Sequence, residues 1–301
     1  MESKKIHIVI PVFNGWEQTK ICLDALRSSL YKNLKIIVVD HGSTDGTKGN
    51  LSAGYPEVTR IIGESTLWWT GATNLGIKTA ISADATDIIL LNNDSYVTRE
   101  TIGTLLHHAQ RAGEAIIAPR QKSRYNESEI ASSASTCFLL GFPTFVLPKI
   151  FTYHSDKKNL KPVRLIMGGR GTLIPVSIFK RIGLFDEINL PHYGADHDFY
   201  LRCRKQCVPL FVANDAFIYV DDRKTTLASK YENISAVQFI ETLKSRQSHK
   251  NIHDLSMLFR LHYPIRGLHY IGVILNLGRY IVLLIWKKIA WHVHRLSEKS
   301  H

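Results

Sequence analysis

The stretch Asp87–Ser95, DIILLNNDS, runs a short apolar segment straight into two amides and a carboxylate. A hard divalent cation such as Mg2+ or Mn2+ takes oxygen ligands, usually from one or two carboxylates and from substrate phosphates. A carboxylate just past a buried strand suits that task, because the strand fixes it and the loop exposes it. The same residues, Asn92, Asn93 and Asp94, also suit a plain turn that caps a following helix. Local sequence leaves both readings open.

The elements that would position such a carboxylate can be read around it. Ile6–Val12 (IHIVIPV) is a β-branched apolar run ending in the turn signal Phe13-Asn14-Gly15. Trp16 to Ser29 has a helix-like pattern. Leu34 to Val39 is a second strand ending in Asp40, followed by the loop HGSTDGT and a helix start. A third strand is expected near Val58 to Ile62, a helix over Asn74 to Ala83, and a strand over Ile88 to Leu91. Strands alternating with helices predict an α/β unit with a mainly parallel sheet. Ligands of such sheets sit beyond the carboxyl ends of the strands. Those ends carry Phe13-Asn14, Asp40 to Asp45 and Asn92 to Asp94, so three polar loops should meet at one edge, the outline of a nucleotide pocket.

At 301 residues, 45% hydrophobic and 21% charged, the composition is that of a globular chain able to bury a sizeable core. The formal net charge of +12 points to an anionic partner: nucleotide, nucleic acid or acidic membrane. Cys22, Cys137, Cys203 and Cys207 lack metal spacing and read as free thiols in a reducing compartment. The apolar run after MESKK begins a strand and is too short for a signal peptide, so a cytosolic location is expected.

Periodicity is lost from about Gln121 to Pro162. Within it Cys137–Phe151 is apolar but broken by Pro143 and Pro148, and reads either as an irregular cover over the core or as a loop facing membrane or acceptor. The C-terminal region, His262 to Leu296, differs in kind. His262, Arg266, His269, Asn276 and Arg279 would form one stripe on a single helix, with Lys287, Lys288, Arg295, Trp286 and Trp291 following. Such a helix suits a membrane interface. Packing on the core and a membrane-spanning segment, with Arg279 near mid-bilayer, are the alternatives.

The chain resembles a family 2 glycosyltransferase of the GT-A fold, from Ile6 to about Val212. The resemblance rests on IPVFNG (Ile10–Gly15), VVDHGSTDGT (Val38–Thr47), LWWTGATNLGI (Leu67–Ile77), DIILLNNDSYV (Asp87–Val97), GTLIPVSIFKRIGLFDE (Gly171–Glu187) and HYGADHDFYLRCRK (His192–Lys205). It implies a Rossmann-like, mainly parallel central sheet flanked by helices, with a C-terminal amphipathic helical extension. It also implies a catalytic domain over 1–225, with a nucleotide-binding half to about 120 and an acceptor half from about 121. A helical, membrane-associating region over 226–301 would follow.

Residue by residue, the resemblance places Pro11, Val12 and Phe13 beside the nucleotide base and Asp40 on the base or ribose. Asn92-Asn93-Asp94 stands where the family carries a DxD-type motif, with Asp94 the metal ligand for Mg2+ or Mn2+. The first position is Asn92, so the carboxylate count is low. Asn74 matches an Asn in the loop before the third helix, while the Arg often preceding it is Thr73. Trp68 and Trp69 would wall the donor pocket or pack in the core. Inverting sugar transfer needs a base that takes the acceptor hydroxyl proton, and Asp196 aligns with it. Relatives often carry Glu-Asp there; this chain has Ala195-Asp196. Asp198 is the runner-up, or a residue at a helix start. Arg202 would pair with Asp198 or contact phosphate, and His192 and His197 would lie near donor or acceptor. Gly168–Gly171 calls for positive dihedrals or close backbone approach, with Gly169 at the sugar pocket. Phe185-Asp186 is taken as structural.

The function so implied is inverting transfer of a sugar from a nucleotide-diphosphate donor to a polyprenyl-linked saccharide acceptor. The site would be the cytosolic membrane surface, peripheral through the C-terminal helix, and the context O-antigen or capsule synthesis of the rhamnosyltransferase-like kind. A nucleotidyltransferase would show a Gly-rich basic loop where this chain has PVFNGWEQ. A dinucleotide oxidoreductase would show GxGxxG there, and no nucleic-acid motif is present. A catalytically degenerate glycan-binding relative remains as an alternative, because both carboxylate motifs are thinned.

Overall fold

The computed structural model describes residues 4–146, 159–224 and 235–298. Pro148 and the side chains of Trp291 and Arg295, which entered the sequence reading, lie outside the described residues. The chain divides into two compact units, residues 1–135 with 146–222, and residues 136–145 with 223–301.

In the first unit β1 (Ile6–Val12), α1 (Trp16–Arg27), β2 (Leu34–Asp40), α2 (Thr47–Gly54), β3 (Thr59–Ile62), α3 (Trp68–Ser82) and β4 (Asp87–Leu90) follow in order. β1 pairs in parallel with β2 on one side and with β4 on the other, and β2 pairs in parallel with β3. The chain therefore winds outward from β1 to β3 and returns to β1's other flank at β4. That reversal opens a crevice at the carboxyl ends of β1 and β4. β5 (Ser95–Val97), α4 (Thr101–Ala112), β6 (Ile116–Ser123), β7 (Glu129–Ile130) and β8 (Ser133–Cys137) come next.

Beyond β9 (Phe142–Phe145) the sheet is completed by β10 (Leu160–Pro162), β12 (Thr172–Pro175) and β13 (Leu210–Val220), while β11 (Leu165–Ile166) pairs with β8. The order is β10-β13-β6-β12-β4-β1-β2-β3. β12 runs antiparallel to β4, and β6 and β13 are parallel to each other. The sheet is mainly parallel and flanked by helices, as expected. α5 (Val176–Ile182) and α6 (Ala195–Lys205) complete this unit.

Every residue of β1 is buried, which explains its unbroken apolar run, and the core continues through Val38, Ile89, Leu105 and Ile218. α3 presses onto β1 and β2 at Gly76, where a Cβ would lie 2.4 Å from Val9 Cγ1. The helix expected from Asn74 begins six residues earlier, at Trp68. Trp68 holds a φ of +51°, and the Thr70 hydroxyl donates to Leu190 O at 2.7 Å. A tertiary contact extends the helix through a stretch whose own sequence reads as loop.

The second unit contains α7 (Ala236–Lys244), α8 (Ile252–His262) and α9 (His269–Glu298), together with β9 and the turn Phe138–Leu140 before it. A segment expected in the acceptor half thus clusters with the C-terminal helices. The single helix expected from His262 is two helices, because Pro264 has no N–H to donate and Gly267 takes a φ of +81°. The stripe of five polar residues is therefore split, with His262 on α8, Arg266 in the connection and the other three on α9.

Of those three, Asn276 is fully buried and donates to Gly141 O at 2.7 Å, and Arg279 lies 4.3 Å over the Phe142 ring. Only glycine fits at 141: its φ is +73° and a Cβ would stand 2.7 Å from Asn276 N. The polar stripe turns into this unit. Ile274, Ile281, Val282, Ile285, Trp286 and Ile289 face outward, each between 48% and 64% exposed.

Candidate active site

The three loops at the carboxyl ends of β1, β2 and β4 are stitched together by side chain to backbone bonds. Asn14, itself at φ +59°, accepts Thr44 N–H at 2.8 Å and donates its own N–H to Ser43 Oγ at 2.8 Å. Asp45 accepts Trp16 N–H at 2.9 Å, and Asp40 accepts Ser43 N–H at 3.0 Å. Asn93 donates to Thr19 Oγ1 on α1 at 3.0 Å and to Asn14 O at 3.4 Å, and the second bond ties the third loop to the first. Asn and Asp serve here because their short side chains mimic backbone partners.

The expected base-binding residues divide. Pro11 and Val12 are buried in the sheet, so their side chains offer no surface to a ligand. Phe13 is 49% exposed and stacks on His41 with ring centroids 5.4 Å apart. His41 escaped the sequence reading, although it directly follows Asp40. Burial holds its pKa below the usual imidazole value, and its Nδ1 is buried with no hydrogen-bond partner. The paired neutral rings make a platform suited to a base.

Asp94 lies just past β4, with Ser95 Oγ donating to one carboxylate oxygen at 3.0 Å. Burial pushes its pKa up, and the nearby Asp221 carboxylate adds to the rise, while the Arg170 guanidinium opposes it. Asp221, at the end of β13, accepts the Tyr125 hydroxyl at 2.7 Å and was not anticipated from sequence. Asn92 is held in place by Trp69, whose indole N–H donates to Asn92 Oδ1 at 3.0 Å. Trp69 also packs edge-on against Phe185 and lies 3.1 Å from where a Cβ on Gly169 would be. The close approach expected at Gly169 is thus made by Trp69. Gly168 and Gly171 take the positive φ values expected there, +77° and +75°.

Two expected ligand contacts are used up inside the protein. Asn74 is 2% exposed; its amide donates to Phe185 O and to the Glu187 carboxylate and accepts Phe185 N–H. It pins α3 to the FDE element and has no N–H left for a nucleotide, a long-range bond that local sequence cannot reveal. Arg202 pairs with the buried Asp198 at 2.8 Å and donates to Ile182 O and Leu184 O. This is the ion pair of the two alternatives, and it removes both side chains from the pocket.

Asp196 is different. It sits in the first turn of α6 behind Gly194 at φ +85°, with an 18% exposed side chain that accepts His197 N–H at 2.9 Å. The segment before it packs on the start of α3: Trp68 and His192 rings lie 5.5 Å apart, and Thr70 N–H donates to Pro191 O at 3.0 Å. Trp68 and Trp69 therefore link the Asp196 loop on one side to the Asn92-Asn93-Asp94 loop on the other.

Solved structures share this architecture. S. aureus TarS residues 1–349 in complex with UDP-GlcNAc superposes with a TM-score of 0.53 at 15% identity, covering 87% of this chain and 73% of that one. The mannosyltransferase PcManGT from Pyrobaculum calidifontis in complex with GDP-Man and Mn2+ gives 0.56 at 12% identity, covering 99% and 76%. Residues 7–183 match the profile of glycosyl transferase family 2, and the chain belongs to that family. Glycosyltransferase GlyA of Streptococcus pneumoniae serotype 4 is 27% identical over 128 residues, 42% of this chain. The match spans 18% of that relative's own length.

Proposed function

We propose that the protein is an inverting glycosyltransferase that moves one sugar from a nucleotide-diphosphate donor to a lipid-linked saccharide. The observation that carries this reading is the cross-linked set of three loops at the switch point of the sheet. It presents the Phe13–His41 platform and Asp94 at one edge, with the Asp196 loop joined to them through Trp68 and Trp69. The solved relatives hold nucleotide sugars, UDP-GlcNAc or GDP-Man, which supports the donor class.

In this reading Asp196 accepts the proton of the acceptor hydroxyl as its oxygen attacks the anomeric carbon. The bond from that carbon to the donor phosphate breaks, and its electron pair leaves with the nucleoside diphosphate. Asp94, with Asp221 bearing on it, makes a donor set of at most two carboxylates, which fits a Mg2+ or Mn2+ ion that also binds substrate phosphates. Asp94 would hold the ion, and its charge would offset that of the leaving diphosphate.

The acceptor would be a polyprenyl-linked saccharide of O-antigen or capsule synthesis, met at the inner face of the cell membrane. The outward apolar arc of α9, whose His269–Ala290 stretch is long and apolar enough to cross a membrane, supports lipid contact. Lys287 and Lys288, near the end of that stretch, favour a position in the headgroup interface.

The test is melting temperature with UDP, dTDP, GDP or CDP, each with and without Mn2+. A ligand at 100 times its Kd stabilises the native state by about 2.7 kcal/mol. One nucleotide is expected to raise the melting point, more so with Mn2+. A flat response to all four removes the nucleotide-sugar reading.

A further inference from the structure

Arg170 has no part in the roles above, yet the structure lodges it beside them. Its loop cannot drift. Gly171 N–H donates to Leu90 O, at the end of β4, at 2.7 Å, and the Tyr200 hydroxyl donates to Gly168 O at 3.2 Å. A Cβ on Gly171 would stand 3.0 Å from Ile218 and Pro119, so β6 and β13 close the other side. The Arg170 side chain runs over Gly168, where a Cβ would meet its Cγ at 3.6 Å.

The guanidinium is anchored at one corner, and the residue as a whole is half-buried. Nη1 donates to Gln121 Oε1 at 3.1 Å, and Gln121 is oriented in turn by donating to Met167 O at 2.8 Å. Nε is buried without a hydrogen-bond partner. The positive charge acts on Asp94 and on Tyr193, which directly precedes Gly194 and the Asp196 helix. Arg170 thus stands between the carboxylate end of β4 and the approach to Asp196.

A donor diphosphate entering this edge meets Asp94 and Asp221, both carboxylates. Asn92 replaces one acid of the usual motif, and Thr73 replaces a cation before Asn74. A fixed planar cation with unused donors is the group such a site needs, since guanidinium and phosphate pair bidentately.

We propose that Arg170 binds the donor diphosphate, selecting a nucleoside diphosphate over a monophosphate and holding the leaving group as charge develops on it. The role rests on the glycosyltransferase reading. The rival role, charge neutralisation of Asp94 and Asp221 alone, predicts a different outcome.

The experiment is calorimetric titration of wild type, Arg170→Met and Arg170→Lys with the nucleoside diphosphate from the melting panel and with its monophosphate, both with Mn2+. Losing a charged hydrogen-bonding group should shrink the diphosphate-over-monophosphate preference roughly 10- to 100-fold in Arg170→Met. Monophosphate affinity should stay within about twofold, and Arg170→Lys should retain part of the preference. An unchanged preference overturns the proposal. So does equal weakening of both nucleotides together with a lower melting point, which marks Arg170 as a structural partner of Asp94; Arg170→Lys decides this even where Arg170→Met folds poorly. Wild type that binds no nucleoside diphosphate removes the glycosyltransferase reading, and Arg170's role with it.

Discussion

The edge of the large sheet and the C-terminal unit sort their residues in opposite ways. Around β1, β2 and β4 the apolar side chains point in: Ile8, Ile10 and Val38 are fully buried and Ile89 is 1% exposed, while Asp94 past β4 and Asp196 at the start of α6 stay partly open. In the second unit Asn276, Lys250, Asn251 and Asp254 are 0–3% exposed, and the isoleucines of α9 face outward. Asn251 is a helix cap, accepting His253 and Asp254 N–H and donating to Lys244 O. In the first region Asp94 and Asp196 stay partly open beside polar side chains that hold the loops together; in the second the buried polar groups named here serve the backbone or lie inside the unit. The outward face of α9 is apolar, and it is the face that the proposed lipid contact would use.

Substitution at the polar edge should therefore stop turnover without loosening the fold. Asp196→Asn is expected to lower kcat about 100- to 10,000-fold, the usual worth of a general base. Nucleotide affinity should stay within about twofold. Parallel turnover and titration measurements check it, and equal loss in both would make Asp196 a structural residue of α6. On the apolar face the expectation reverses. Ile274→Asp with Ile285→Asp should weaken binding to anionic phospholipid vesicles by about 150-fold or more, since each isoleucine is worth about 1.5–3 kcal/mol when buried. Nucleotide affinity should not change. Sedimentation with vesicles that persists in the double variant would break the comparison.

Much of the edge was legible because its signals are local. β1, β2 and β4 are buried runs that end in turn residues, and period and turn chemistry mark such elements directly. The residues that the sequence misplaced are those governed by distant partners. Asn74 bonds a loop more than a hundred residues away, Trp69 orients Asn92, and β12 enters antiparallel between β4 and β6. The place of Arg170 is set by the bond from Gly171 N–H to Leu90 O, a long-range contact that local sequence does not carry. The C-terminal break is written in Pro264 and Gly267, which interrupt the single helix that the spacing of the polar stripe predicts. The inward turn of Asn276 depends on Gly141, which belongs to a segment far away in sequence.

The smallest expected effect concerns the buried polar interior itself. Lys250 is 2% exposed, its ammonium 5.6 Å over the Tyr280 ring, and burial, with added repulsion from Lys287, pushes its pKa down to about 8. Below that pH both folded and unfolded chains carry the proton, and the folded state bears the full cost of burying it. Between about 8 and the ordinary lysine value of 10.5 the unfolded chain keeps the proton while the folded chain releases it, so stability rises with pH. The rise attributable to Lys250 should total roughly 3 kcal/mol, read as the difference between wild type and Lys250→Met in chemical denaturation across that window. Lys250→Met should be the more stable protein at pH 7, with the two curves converging toward pH 10.5. A less stable Lys250→Met at pH 7 would mean that the cation holds this unit together as Asn276 does. Polar burial there would then be a source of stability in its own right, and the contrast with the sheet edge would rest on the apolar face alone.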